Sequence, residues 1–214
     1  AEANNLPLIL IPGESGAPRA CLGYSLVQLL YTLHKAGLLD ASFKTDLEES
    51  INLLESNAAA IKAQAKDVAE SLLGKLPVLY ASSVLEPVAV RSQQQLNENA
   101  KQICHVNAFS EMNHNEIVGW VNPEKILKEV TVVLLRSSYD HERVQKRMDL
   151  CKPIFQEKAN DVLEVRAQGQ SLLAQMFYFI HLFDWVSLYL ADLNGVDPNP
   201  VKVIDHLKNA LAKA

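Results

Sequence analysis

The residues best suited to moving protons lie in one stretch, QLNENAKQICHVNAFSEMNHNEIVGW, residues 95–120. A carboxylate such as Glu98, held at the edge of a cleft, can act as a general base. His114 falls in the first turn after the short apolar run CHVNAF. A helix amino terminus disfavours imidazolium, so a histidine there stays neutral at ordinary pH and can shuttle a proton. Arg19, in the glycine-containing loop PGESGAPRACLGY, sits where an anion or a developing oxyanion could be met. Each has a plainer reading. Ala89, Leu96, Ala100 and Ile103 fall on one face at helical spacing, which leaves Glu98 opposite, beside Arg91 and Gln94, on what is most often a solvated face. His114 could hydrogen-bond only its own loop, Glu111 and Glu116 could be capping groups, and Arg19 could be an exposed loop residue.

Other chemistries lack their residues. The histidines and cysteines are too dispersed for a metal site, and no cofactor-binding motif occurs. The loop after residue 12 is neither a GxGxxG nor a P-loop, and no GxSxG marks a hydrolase nucleophile.

The elements that must carry these groups alternate along the chain. LPLILIP (6–12), LPVLYAS (76–82), CHVNAF (104–109), EVTVVLLRS (129–137) and DVLEVRA (161–167) read as five short buried strands. Helical spacing is expected from LGYSL to about Gly37 and over 45–74, 87–103, 140–159, 171–193 and 201–213. A short helix should open in NHNEIVGW with Ser110 as its cap. The expected fold is a three-layer α/β/α domain spanning 1–214, its five-stranded, mostly parallel sheet flanked by helices. Ligands in such sheets sit beyond the carboxyl ends of the strands, at a switch in strand order.

Composition supports a full core. The 214 residues are 49% hydrophobic and 21% charged, with a formal net charge of −5. Lysines and arginines are scattered, with no basic stripe for nucleic acid and no polybasic cluster for a membrane surface. Cys21, Cys104 and Cys151 are odd in number and far apart, as free thiols in a reducing cytoplasm would be. The longest apolar run, MFYFIHLFDWVSLYLA, is broken by His181 and Asp184 and suits a buried helix better than a membrane span.

Taken together, IPGESGAPRACLGYSL, LPVLYASS, RSQQQLNENAK, EMNHNEIVGW and YLADLNGVDPNPVKVIDHLK resemble the second half of the bifunctional phosphoglucose/phosphomannose isomerases, a sugar isomerase (SIS) domain. The resemblance runs from about residue 6 to the end, with the motifs in the family's order; QLNENAK and NHNEIVGW are the most specific. It implies aldose–ketose isomerisation of a hexose 6-phosphate through a cis-enediol, with no metal or organic cofactor. It implies that Glu98 moves the proton, that His114 assists ring opening from the neighbouring subunit of a homodimer, that Arg19 stabilises the enediolate, and that Lys208 helps ring opening and positioning. Glu98 precedes the CHVNAF strand and His114 follows it, so sharing across a two-fold axis would let both serve one ligand.

The family also carries an upstream SIS domain whose Ser/Thr-rich loop holds the sugar phosphate; Ser82 and Ser83 lie in the wrong part of the pattern to replace it. The expectation is therefore a C-terminal half, weak or inactive alone: a fragment, which the start without Met favours, or a natural half that pairs with another protein. Two other readings stand beside it: a sugar-phosphate sensor, which would not need a base at Glu98, and a dimerisation module using the apolar helix 171–193.

Overall fold

VTVVLLR has no polar alternation, as a strand covered on both faces requires. In a computed structural model, which describes residues 4, 8–11 and 17–213, it is the centre of a parallel sheet. The chain divides into two compact units, Ala1–Glu48 and Glu49–Ala214.

In the first unit a 3-10 turn, Pro18–Ala20, leads into helix α1 (Leu22–Lys35), and α2 (Ser42–Ser56) begins after a turn at Gly37. Gly37 has φ +75°, a conformation glycine adopts freely. Phe43 packs against Tyr31 and His34, with ring centroids 5.2 and 5.6 Å away.

The second unit continues with α3 (Ala58–Leu72), β1 (Leu76–Ser82), α4 (Glu86–Asn99), β2 (His105–Phe109), two 3-10 turns (Glu111–His114 and Glu116–Gly119), α5 (Glu124–Leu127), β3 (Val130–Arg136), α6 (Glu142–Lys158), β4 (Asp161–Arg166), α7 (Leu172–Leu193) and α8 (Lys202–Leu211). The strand order is β2-β1-β3-β4, all parallel, with Leu79 opposite both Val106 and Val133. The order switches between β1 and β3, where the chain passes from one side of β1 to the other.

Side chains alternate across the pleat. Leu79, Ala81, Val133 and Leu135 face α3, α4 and α7, whose Val68, Leu72, Leu96, Phe179 and Phe183 complete one core. Val78, Tyr80, Val132 and Leu134 face α6 and the 3-10 turns, with Phe109, Met112, Trp120 and Phe155. Burying each large apolar side chain contributes about 1.5–3 kcal/mol, so the two cores hold the three layers together.

The sheet thus has four strands among the described residues, not five. The run at 6–12 supplies none: residues 6, 7 and 12, with most of the following glycine loop, lie outside the described residues. Leu8, Ile9, Leu10 and Ile11 are unpaired in any ladder and 52%, 49%, 81% and 44% exposed. Apolar character allows burial but does not supply a neighbouring backbone to pair with. The expected helix 45–74 is two helices, parted at Asn57, whose side chain donates to Leu53 O at 3.1 Å. Cys104 and Cys151 are buried free thiols and Cys21 a half-buried one; burial pushes Cys104 up to about 12. Among the described residues no helix is long and apolar enough to cross a membrane.

Candidate active site

Helix α4 is locked to α7 by a stripe of polar side chains. Arg91 donates to both carboxylate oxygens of Asp184 (2.6 and 3.3 Å), and Gln95 adds a bond to the same carboxylate at 2.7 Å. Asn99 donates to Ser187 Oγ at 2.9 Å. Such pairing between partly buried groups fixes the rotation of α4 about its axis. Arg91 therefore faces α7 rather than flanking Glu98 on a solvated surface, and Ile103, beyond the helix end, is 77% exposed.

Glu98 lies on the same stripe, one turn beyond Gln95 and two beyond Arg91, and is half-buried. There it lines a cleft of about 740 Å³ together with Lys101, Gln102, Asp197, Pro200 and Lys202. Val196, Val201 and Ile204 give part of its wall an apolar character. The size suits a small-molecule ligand. Lys101 turns the chain out of α4 with φ +56°, a left-handed conformation that a residue with a Cβ adopts at a cost. Its Nζ donates to Glu98 O at 2.5 Å and to Pro198 O at 3.3 Å, joining the helix end to the opposite wall. A carboxylate beside two ammonium groups in a part-apolar cleft can accept a proton while cations meet developing negative charge.

This cleft is at the amino edge of the sheet, because α4 runs back from the end of β1 to the start of β2. The carboxyl edge, where ligands of such sheets usually bind, is occupied by side chains. Ser82 Oγ donates to Asp140 Oδ1 (2.5 Å), and Ser137 N to Asp140 Oδ2 (2.8 Å). Ser137 Oγ donates to Gln175 Oε1 at 2.6 Å, and Gln175 Nε2 to Ser138 Oγ and Gly169 O at 2.6 and 2.9 Å. Ser82, Ser137, Asp140 and Gln175 are all buried.

Lys208 and His114 lie apart from Glu98. Arg19 is half-buried in the Pro18–Ala20 turn of the first unit. Lys208 is exposed on α8, one turn beyond Ile204 and on the same side of that helix; the first turn of α8, not Lys208, lines the cleft. His114 is exposed past the carboxyl end of β2, about 16 Å of strand away from the Glu98 end. It closes a 3-10 turn instead of opening a helix, so the helix-terminus argument for its charge does not apply. Ser110 precedes that turn without a side-chain cap; Asn115 caps the second turn, accepting from Glu116 N at 2.5 Å.

Glu116 is more than a capping group. Its carboxylate accepts from Tyr80 OH, from Asn107 Nδ2 at 2.5 Å and from His105 Nε2 at 3.0 Å, while Trp120 Nε1 donates to Tyr80 OH at 3.0 Å. Burial would raise the Glu116 pKa, but the bonds from His105, Asn107 and Tyr80 outweigh it and bring it down to about 2. The same bond to Glu116 raises His105, against the opposing effect of burial. Burial, then the bond to Glu116, raises Tyr80. The one sequence signal was that His105 and Asn107 are polar at alternate positions of a strand, which puts both on one face.

Comparison with known proteins gives a consistent picture. Residues 61–211 match the family model described as bacterial phospho-glucose isomerase C-terminal SIS domain. A bifunctional phosphoglucose/phosphomannose isomerase of Caldicellulosiruptor bescii is 40% identical over 222 residues, covering 100% of this chain and 65% of that protein. The protein of the same name from Aquifex aeolicus is 36% identical over 196 residues, covering 92% of this chain and 59% of its own length. The chain thus spans less than two thirds of these relatives. Among solved structures, a glucose-6-phosphate isomerase like protein from Thermus thermophilus superposes with a TM-score of 0.61 at 23% identity, over 85% of this chain and 60% of the other, which shows the shared fold.

Proposed function

This chain belongs to the bacterial phospho-glucose isomerase C-terminal SIS domain family, and from that premise we propose that it is the catalytic half of an isomerase interconverting glucose or mannose 6-phosphate with fructose 6-phosphate. The observation that carries the reading is Glu98: the carboxylate of the family-like NENAK motif lines a ligand-sized cleft, on a helix held in rotation by a buried polar stripe.

In the proposed reaction the Glu98 carboxylate takes the proton from C2 of the open-chain aldose. The C–H electron pair forms the C1–C2 double bond, and the C1 carbonyl oxygen takes up a proton to give a cis-enediol. Glu98 returns its proton to C1 as the C2 hydroxyl loses one and becomes the ketone. No electrons enter or leave. A sugar C–H is a weak acid, so the base must be close and partly desolvated, and a cation must meet the enediolate oxygen. Arg19 is assigned that cation's role. The partner subunit's His114 and this chain's Lys208 would exchange protons at the ring oxygen and anomeric hydroxyl during ring opening. The distance along β2 between Glu98 and His114 supports a shared site in a dimer. An upstream SIS domain would supply the phosphate site, and binding energy there would hold the reacting carbons against Glu98.

The test is a coupled assay of glucose 6-phosphate formed from fructose 6-phosphate, run on this chain and on a polypeptide extended upstream to the relatives' length. The extended protein should turn over. Glu98→Gln should lower kcat by at least roughly 10²-fold while sugar phosphate still binds, and this chain alone should be weak. Bound sugar phosphate without turnover in the extended protein would replace the reading with a sensor.

A further inference from the structure

The short 3-10 turn that carries His114 offers little intrinsic rigidity: four residues form too few hydrogen bonds to hold a side chain in place. What lies on either side of it is anchored. On the near side Met112 is fully buried and Asn113 Nδ2 lies 3.1 Å from Cys151 Sγ. On the far side Glu116 is gripped by groups from both strands, Tyr80 of β1 and His105 and Asn107 of β2. Asn115 joins the two turns, accepting from Glu116 N and donating to Glu111 Oε1 at 3.1 Å. His114 itself stays exposed between these anchors.

We infer that Glu116 is a positioning residue: its partly buried carboxylate pins the exposed His114 turn to β1 and β2, and so sets where that imidazole meets the substrate. The inference rests on the isomerase reading above, because it gives His114 a reaction to be positioned for. Three donors from two sheet strands converge on one carboxylate, which ties the chain two residues from His114 to both strands. A neutral amide in place of the carboxylate can accept at one oxygen only, and its NH2 group faces donors. The turn would then be held by fewer bonds. A displacement of about 1 Å in a proton-transfer group costs on the order of 10²-fold in rate.

A purely structural Glu116 would also be damaging to replace, so the test must separate the two roles. In the extended protein, kcat and KM for fructose 6-phosphate are measured for wild type, Glu116→Gln, His114→Ala and the double variant, each with its Tm. The expected result is a kcat loss of roughly 10- to 100-fold for Glu116→Gln, KM within about twofold, and no further loss when the substitution is added to His114→Ala. Tyr80→Phe, which removes one donor and keeps the ring in its core, should show the same dependence on His114 at smaller size, and serves if Glu116→Gln fails to fold. An equal loss in both backgrounds, or an unchanged kcat in either variant, overturns the inference while leaving the isomerase reading intact. A wild type without turnover overturns that reading first, and this inference with it.

Discussion

The two edges of the sheet treat their polar groups in opposite ways. At the carboxyl edge Ser82, Ser137, Asp140 and Gln175 bond to one another and are buried, although the switch in strand order makes this the usual place for a ligand. At the amino edge Glu98, Lys101, Asp197 and Lys202 line open space. Polar groups packed against one another hold a fold together, whereas charged groups that line a cleft can also meet a ligand. The difference teaches that a fold-level rule locates sites only when the side chains leave the place vacant.

Substituting one residue at each edge should separate stability from function. Glu98→Gln should remove turnover yet move Tm by less than about 2 °C, because a half-buried group at the cleft edge contributes little to folding. Asp140→Ala should do the reverse in stability. It leaves the Ser137 amide and Ser82 hydroxyl buried without their acceptor, at about 1–3 kcal/mol each, so Tm should fall by roughly 10 °C in a thermal melt. If Asp140→Ala melts with wild type, the carboxyl edge is not a closed structural element.

A smaller effect sharpens the amino edge. Lys101 combines a left-handed backbone with an amine that joins two walls of the cleft. Lys101→Ala loses the amine and keeps the backbone cost; Lys101→Gly loses both. The glycine variant should be more stable than the alanine variant by about 1 kcal/mol in denaturant titration. Equal stabilities would mean that the turn relaxes once the amine is gone.

The smallest effect concerns pH. Glu116, lowered from 4.5 to about 2, contributes stability that is present above 4.5 and lost as pH falls toward 2. His105, raised above 6.5, contributes stability that is complete below 6.5 and lost as pH rises through its higher folded value. The pair therefore stabilises most between these limits. His105→Gln should flatten the alkaline side of a Tm-against-pH curve; an unchanged alkaline slope would show that His105 is not its source.

Local patterns disclose β1, whose bounds match LPVLYAS residue for residue, and α7, because fully apolar strands and long apolar helices announce themselves. They misplaced the end of α4, expected at 103 and found at Asn99, because a lysine in the left-handed region has no sequence mark as glycine does. They also gave a strand to 6–12, where no partner pairs with the described residues. For the site, the NENAK motif drew attention to Glu98, but nothing near it in sequence disclosed Asp184, which fixes its helix from far along the chain, or that Asp197 and Lys202 share its cleft. Such partners are set by tertiary packing, to which periodicity is blind. Glu116 reads in the sequence only as a carboxylate that could cap a turn, since its donors arrive from two strands.

Gln102 and Asn194 sit where three helices end. Gln102 donates to Leu72 O, at the end of α3, and to Lys75 O just beyond it, while Asn194, past the end of α7, donates to Ala100 O and to Gln102 Oε1. Helix ends ordinarily fray one at a time, because their last carbonyls lack partners. Here two amides tie the three ends into one knot under the Glu98 cleft. Amide hydrogens along this rim should consequently exchange together, in a common opening of the whole unit, and the floor beneath the Glu98 carboxylate would be as slow to move as the core itself.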